Sequence, residues 1–473
     1  MDHPAQYRGK QVVVLGLAKS GLAVAKLFHR LGAVVTVNDI KERSLCPEAD
    51  ELEALGISVV CGSHPDTLIH PGVSLVVKNP GIPYTIAPVR QAVNCGVEIV
   101  TEVEVAARVC RAPIIGVTGS NGKTTTTVWI GRMLSEGGLA PIVAGNIGRP
   151  LCDVAEEAGE GDWVVAELSS FQLKGVDRFR PRIACLLNVC EAHLDYHGTM
   201  EDYVESKAKL FANQTEEDVA VLNWDDPTCR RLAERVRARV IPYSSKERLP
   251  SGIYVDPPIS GGEPLNDGHR IVFRDEAGRE TAIIPAKRLG VPGKHNVENG
   301  MAAAAAALAT GVGADAIARA LENFRGVEHR LEFVREWNGI AFYNNSKATN
   351  PQATITALQS FEQPVVLLAG GLDRQIGFDD MIPHLARNVK AVVAFGQTRE
   401  KIAEIAERAG IGMIKTVDNA NSAAETLDLA VRLAAGFAKA GDIVLLSPAC
   451  ASWDMFASYE ERGRMFKESV HNL

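Results

Sequence analysis

The sequence predicts an α/β protein of three doubly wound, Rossmann-like domains, the central one a P-loop-type ATPase domain. Three observations predict it. Apolar runs of strand length recur along the 473 residues. Helix-length stretches separate them, so successive strands must cross over and run parallel. Glycine-rich turns stand where strands give way to helices, the edge at which such sheets bind ligands.

The elements follow in order. Gln11–Gly16 predicts a buried strand, residues 22–31 a helix and residues 34–38 a second strand that reaches Asp39. A further strand at residues 74–77 runs into Asn79-Pro80-Gly81, whose composition forces a loop. A fresh strand at residues 113–117 opens the central domain, with others at 163–167, 183–188 and 219–223. Residues 244–293, rich in Gly, Pro and charge, predict hairpins and loops, and a long helix is expected from about Asn296 to Ala309. Strands alternate with helices again at residues 340–343, 365–369, 391–395 and 443–446. The domains are therefore expected at 1–106, 107–326 and 327–473.

Composition narrows the class. With 46% hydrophobic and 23% charged residues the chain can bury full cores. A net charge of -8 argues against a general nucleic-acid or anionic-membrane binder. Nine cysteines lie scattered without a C-x-x-C pair, which reads as reduced thiols in a cytoplasmic protein. Residues 1–10 lack a signal-peptide core and no apolar run is long enough to span a bilayer.

The strongest motif is Thr118-Gly119-Ser120-Asn121-Gly122-Lys123-Thr124-Thr125, after a strand and before a helix. The glycines let backbone N–H groups face an anion, and the helix N-terminus adds partial positive charge. Lys123 can reach β- and γ-phosphates and Thr124 can ligate Mg²⁺. The G-x-x-x-x-G-K spacing is varied, with five residues between Gly116 and Gly122 and two between Gly119 and Gly122. Glu167, at a strand end beside the loop, suits a metal ion. A helix over residues 203–211 carries Lys207 and Lys209; Tyr203 and Lys207 share a face, and Lys209 points away, as a surface lysine would.

The loop TGSNGKTT resembles that of the Mur ligase family. The likeness continues in order through residues 167–173 (ELSSFQL), 188–195 (NVCEAHLD), His329-Arg330, residues 344–350 (NNSKATN) and residues 447–454 (SPACASWD). The last two look like the D-glutamate-adding branch. The resemblance implies ATP-dependent joining of D-glutamate to UDP-N-acetylmuramoyl-L-alanine, in cytoplasmic peptidoglycan-precursor synthesis, by a monomer. It implies two Mg²⁺ ions, held by Thr124, Glu167, His193 and a CO₂-derived carbamate on Lys207. It puts Arg330 and Lys347 on phosphate and Asn345 on the ribose, where many members carry aspartate.

Asn296 and Asn299 are implied near the adenine, or cap the long helix, as asparagine favours. Gly16, Lys19, Ser20, Asp39, Lys41, Asn79, Pro80 and Gly81 are implied around the UDP moiety, with Asn146 on the sugar-peptide part. By motif alone, Gly16-Leu17-Ala18-Lys19-Ser20-Gly21 followed by Asp39 also fits a nicotinamide-dinucleotide turn lacking its middle glycine. D-glutamate is implied between Thr349 and Arg374 at one carboxylate and Ser452 and Tyr459 at the other. Ser452 could equally cap a helix. Another amino-acid-adding ligase of the family and a nucleotide-binding regulator remain as rival readings.

Overall fold

Uninterrupted apolar runs, buried on both faces, make the central strands of three sheets; helices cover them. The computed structural model describes residues 1–260, 265–418 and 422–473. Residues 261–264, inside the stretch expected to form hairpins, lie outside it.

The first sheet comprises β1 (Gln11–Leu15), β2 (Val34–Asp39), β3 (Ser58–Cys61), β4 (Val73–Lys78) and β5 (Ile99–Val100). All are parallel, in the order β3-β2-β1-β4-β5. The helix after β1 spans Lys19–Arg30 and starts earlier than apolar periodicity suggests. Lys19, Ser20 and Gly21 are not apolar, yet their backbone makes its first turn.

The second sheet begins with β6 (Ile114–Thr118), β7 (Ala140–Gly145), β8 (Asp162–Glu167), β9 (Ile183–Leu186) and β10 (Val219–Asn223). It continues with β11 (Arg239–Ser244), β12 (Gly252–Asp256), β13 (Arg270–Arg274) and β14 (Glu280–Pro285). Its order is β14-β13-β12-β11-β10-β9-β6-β8-β7. The predicted hairpins are the antiparallel edge β12-β13-β14; the rest is parallel.

These two sheets belong to one compact unit, Met1–Arg288 with Val297–Leu321. The helix Glu102–Val109 ties them together with two buried glutamates. Glu104 accepts from the N–H groups of Asp177, Arg178 and Phe179, and Glu102 from that of Cys152 at 2.8 Å.

The second unit is Leu289–Asn296 with Glu322–Leu473. Its sheet contains β15 (Glu332–Trp337), β16 (Ile340–Asn344), β17 (Val365–Ala369), β18 (Val389–Ala394), β19 (Met413–Thr416) and β20 (Ile443–Leu446). The order is β15-β16-β20-β17-β18-β19, with β15 antiparallel. Side chains alternate across strands. Val365, Leu367 and Leu445 therefore enter one core, and Val366, Leu368 and Val444 the other. The long helix spans Lys294–Ala309. Among the described residues no helix is long and apolar enough to cross a membrane, and no cysteine is in a disulfide.

Candidate functional site

The phosphate loop joins β6 to the helix Lys123–Glu136, whose first turn contains Thr124 and Thr125. Gly122 precedes it with φ of 84°, and a Cβ there would lie 2.1 Å from Asn299 Oδ1. Only glycine satisfies both demands, and Asn299 is thereby fixed against the loop. The segment after β9 stitches the loop in place. Asn188 accepts the Ser120 N–H on its backbone carbonyl and the Asn121 N–H on Oδ1, at 2.9 and 2.8 Å. Ser120 Oγ donates to the Cys190 carbonyl and also meets Tyr203 Oη, each at 3.0 Å.

Two lysines converge here. Lys123 Nζ donates to the carbonyls of Gly119 and Ser120, both at 2.9 Å. Lys207 Nζ donates to Gly119 O at 2.9 Å and lies over the Tyr203 ring. Lys207 is 1% exposed. Burial, then the Lys123 ammonium, lowers its amine to about 7. Its helix is Met200–Ala208, shifted from the expected 203–211 because Thr199 caps it by accepting from Asp202 N. Lys209 is no solvated surface lysine: its half-buried ammonium donates to the carbonyls of Lys174 and Val176, at 2.6 and 3.0 Å.

Glu167 ends β8 and is 2% exposed. Its Oε1 accepts from Asn146 Nδ2 at 2.9 Å, while Oε2 has no hydrogen-bond partner among the described residues. Asn146, expected at the sugar-peptide part, thus supports this carboxylate. His193 is exposed, with φ of 57°, and meets Phe171 edge to face at 4.9 Å. Partial burial, then Lys123, holds its imidazole below the usual range, favouring the neutral ring that can ligate metal. Among the described residues no three His, Cys, Asp or Glu converge as a ready metal cluster. A set of one hydroxyl, one carboxylate, one imidazole and one lysine is not of that kind.

The first turn of the first sheet collects its predicted residues. Asp39 accepts from Leu17 N at 2.8 Å and Lys41 N at 2.9 Å, which shapes the turn. Ser20 Oγ donates to Asn79 Oδ1 at 3.0 Å. Gly16 has φ of 99°, and a Cβ there would lie 2.5 Å from Asn79 Nδ2. Lys19 and Lys41 are exposed beside it, as is Gly81, while Pro80 is half-buried.

The sequence places Lys78 at the start of this loop and gives it no role, because a lysine ending a strand looks solvated. It is 1% exposed. Its Nζ donates to the carbonyls of Asn79 and Pro80 and to Tyr196 Oη, at 3.3, 3.2 and 3.2 Å. Tyr196 in turn donates to Pro80 O at 3.0 Å. The loop after β4 is thereby tied to the short helix Leu194–His197, next to His193.

In the second unit, Asn345 and Lys347 follow β16. The Asn345 amide is engaged within the protein: Oδ1 accepts from Leu331 N at 3.3 Å and Nδ2 donates to Ser447 Oγ at 3.0 Å. Lys347 Nζ lies 5.3 Å from the Tyr459 ring centroid. Burial, then Glu460, raises the Tyr459 phenol to about 12, with Arg330 partly opposing them. Thr349 is half-buried in the same loop. Arg374 is exposed, its guanidinium 4.9 Å from the ring of Trp453, itself 65% exposed. Ser452 is buried in a turn and does not cap a helix; Ser458 caps Tyr459–His471 by accepting from Glu461 N. Asn296 Nδ2 donates to Pro292 O at 2.6 Å.

Arg462, also unnamed by the sequence reading, is wholly buried. It donates to Ser346 Oγ and O at 3.0 and 2.8 Å and to Cys450 O at 3.2 Å. One guanidinium thus joins the loop of Lys347 to that of Ser452. Burial lowers it to about 10. No local signal marks it, since it sits near the start of its helix among charged residues.

Known proteins align with the whole arrangement. The family model of the MurD-like N-terminal domain of Mur ligases matches residues 10–101, that of the Mur ligase middle domain 117–307, and that of the glutamate ligase domain 329–450. The chain is 49% identical over 474 residues to the UDP-N-acetylmuramoylalanine–D-glutamate ligase of Geobacillus sp. strain WCH70, covering 100% of both. It is 47% identical over 473 residues to the protein of that name from Bacillus cereus strain ATCC 14579, again covering 100% of both. Among solved structures, MurF from Acinetobacter baumannii matches with a TM-score of 0.60 at 19% identity, over 93% of this chain and 91% of that one. MurF ligase from Thermotoga maritima in complex with ADP gives 0.57 at 18%, over 100% of both. At these identities the two structures establish the fold alone.

Proposed function

The chain belongs to the Mur ligase family, and from that premise we propose that it joins D-glutamate to UDP-N-acetylmuramoyl-L-alanine at the expense of ATP. The observation that carries the reading is the convergence of Lys123 and Lys207 on the Gly119 carbonyl of a phosphate loop. Lys123 supplies the cation at the phosphate cradle, and the buried Lys207 amine beside it is placed for conversion to an anionic carbamate that would support a metal ion there.

The reaction has two steps. A carboxylate oxygen of the L-alanine residue attacks the γ-phosphorus of ATP, the bond to the β-bridging oxygen breaks, and ADP leaves. The D-glutamate nitrogen then attacks the carbonyl carbon of the acyl phosphate, loses a proton, and inorganic phosphate departs as the amide forms. Lys123 and the N–H groups of residues 119–125 hold the phosphates. Asn299 borders the loop and Asn296 keeps its adenine assignment; Arg330 and Lys347 keep the phosphate roles implied by the resemblance.

Two Mg²⁺ ions fit the residues present. The buried Glu167 Oε2 lacks a partner, and a buried carboxylate oxygen left so is costly unless a cation meets it. Glu167 and Thr124 would hold one ion; His193 and a carbamate on Lys207 would hold the second. Bound there, Mg²⁺ would neutralise charge on the transferred phosphoryl group. Lys207 suits carbamylation because its burial favours the neutral, nucleophilic amine.

Gly16, Lys19, Ser20, Asp39, Lys41 and the loop Asn79–Gly81 receive the uridine diphosphate, and Thr349, Arg374, Ser452 and Tyr459 receive D-glutamate. Domain limits near 106 and 326 divide these tasks, and the reaction belongs in the cytoplasm. Phosphate release measured with UDP-N-acetylmuramoyl-L-alanine and each candidate amino acid tests the proposal. Release that depends on D-glutamate is expected; release driven instead by L-alanine, a diamino acid or a dipeptide would overturn the assignment.

A further inference from the structure

The second sheet has a charged cleft at the edge opposite the phosphate loop. The cleft has a volume of about 430 Å³, and its lining includes Arg108, Arg111, Arg178, Arg180, Arg182 and Asp218. These charged residues lie ahead of β6, β9 and β10, at the amino ends of the strands, whereas the phosphate loop and Glu167 lie at the carboxyl ends. Strands of this length place the two edges on the order of 15 Å apart.

Five guanidiniums face this space with one carboxylate among the lining residues. Asp218 is already shared, by Arg180 at 2.7 Å and Arg182 at 3.4 Å, and the exposed Glu217 lies 3.5 and 3.9 Å from the same two guanidiniums. Arg108 pairs with Glu104 through Nη2, but its Nε is buried without a hydrogen-bond partner among the described residues. Arg178 comes no nearer than 3.6 Å to the exposed carboxylates of Asp177 and Asp2, pairs worth little in water. Among the described residues Arg111 makes no ion pair. Only two of the acids around these arginines, Glu104 and Asp218, are buried; the others are exposed, and their pairs are weak enough for a multiply charged anion to displace them.

The spacing favours a particular ligand. Residues 178–183 alternate exposed and buried, Arg-Phe-Arg-Pro-Arg-Ile. An extended chain puts every second side chain on one side, roughly 6.6 Å apart. Arginine forks match phosphate oxygens two at a time, and the lining contains no lysine. We propose that this cleft is a second anion site, separate from the phosphate loop, for a small molecule bearing two or more phosphate groups.

Calorimetric titration of the full chain with inorganic pyrophosphate, and separately with ADP, in magnesium-free buffer tests it. The Lys123→Ala protein, whose phosphate loop is weakened, should still bind pyrophosphate. The further change Arg111→Glu with Arg178→Glu should weaken that event about ten- to a hundredfold, as loss of charged hydrogen bonds does. Both positions are exposed, and Arg111→Gln alone serves if the double reversal does not fold. Equal affinity for ADP and pyrophosphate would show that phosphate alone is read; a preference for ADP would make a nucleotide the source. Absence of binding to Lys123→Ala, or binding unchanged by the arginine substitutions, would overturn the proposal.

Discussion

Lys123 and Lys207, 84 residues apart in sequence, donate to the same carbonyl oxygen, that of Gly119, each at 2.9 Å. Burial lowers the Lys207 amine, and the second ammonium that shares its acceptor lowers it further. Lys207→Ala should lower kcat by about ten- to a hundredfold or more, as loss of metal support does. Added acetate should restore part of the rate by supplying the missing carboxylate, whereas Lys207→Arg should not respond. Full activity in Lys207→Ala would refute the role.

Lys209 provides the contrast. Its ammonium ties two carbonyls that precede the central strands. Lys209→Ala should keep kcat near that of the parent chain and lose roughly 1–3 kcal/mol of stability, because buried acceptors are left unmet. Denaturant titration and phosphate release together measure the split.

Arg374 and Trp453 stack at 4.9 Å on the surface of the second unit. Arg374→Ala should raise KM for D-glutamate about ten- to a hundredfold, the cost of a carboxylate losing its charged partner, with KM for ATP little changed. Trp453→Ala should raise the same KM by a smaller factor, since it removes only the platform that orients the guanidinium. A change confined to the ATP KM in either variant would move Arg374 out of the amino-acid site.

Glu102 gives a pH signature. Burial raises its carboxyl from 4.5 to about 7 against the hydrogen bond from Cys152. The folded chain thus binds this proton more tightly than the unfolded chain, so the contribution of Glu102 is most favourable below about pH 4.5 and falls as pH rises through 7. Glu102→Gln keeps the acceptor without the charge. It should stabilise the chain by roughly 1–3 kcal/mol at pH 8 and by little at pH 5. Equal effects at both pH values in thermal unfolding would show that Glu102 is not the titrating group.

Lys78 has the opposite slope. Burial, then Lys174, lowers its amine from 10.5 to about 7. The unfolded chain therefore holds this proton more tightly, and stability should rise with pH between about 7 and 10.5. Lys78→Met should flatten that rise. It should also increase KM for the sugar nucleotide, because the Asn79–Pro80 carbonyls and Tyr196 lose their common donor. An unaltered KM would confine Lys78 to a packing role.

The sequence by itself determined the alternation of strands and helices, the parallel sheets, and the placement of the phosphate loop and Glu167 at strand ends. Those features rest on local causes: apolar runs of strand length, glycines that free the backbone, and helix N-termini that attract anions. Helical spacing put Lys207 and Lys209 on different faces but read Lys209 as solvated, whereas the fold gives its ammonium two carbonyl partners. Only the tertiary structure decided which polar residues are buried and whom they meet. Lys78 is paired with Tyr196 across 118 residues, and Arg462 with Ser346 across 116. It made Asn146 a support for Glu167 and bound the Asn345 amide to Ser447. A charged side chain looks solvated in any local window. Its cost of burial and its compensating partners arise only when strands distant in sequence are brought edge to edge.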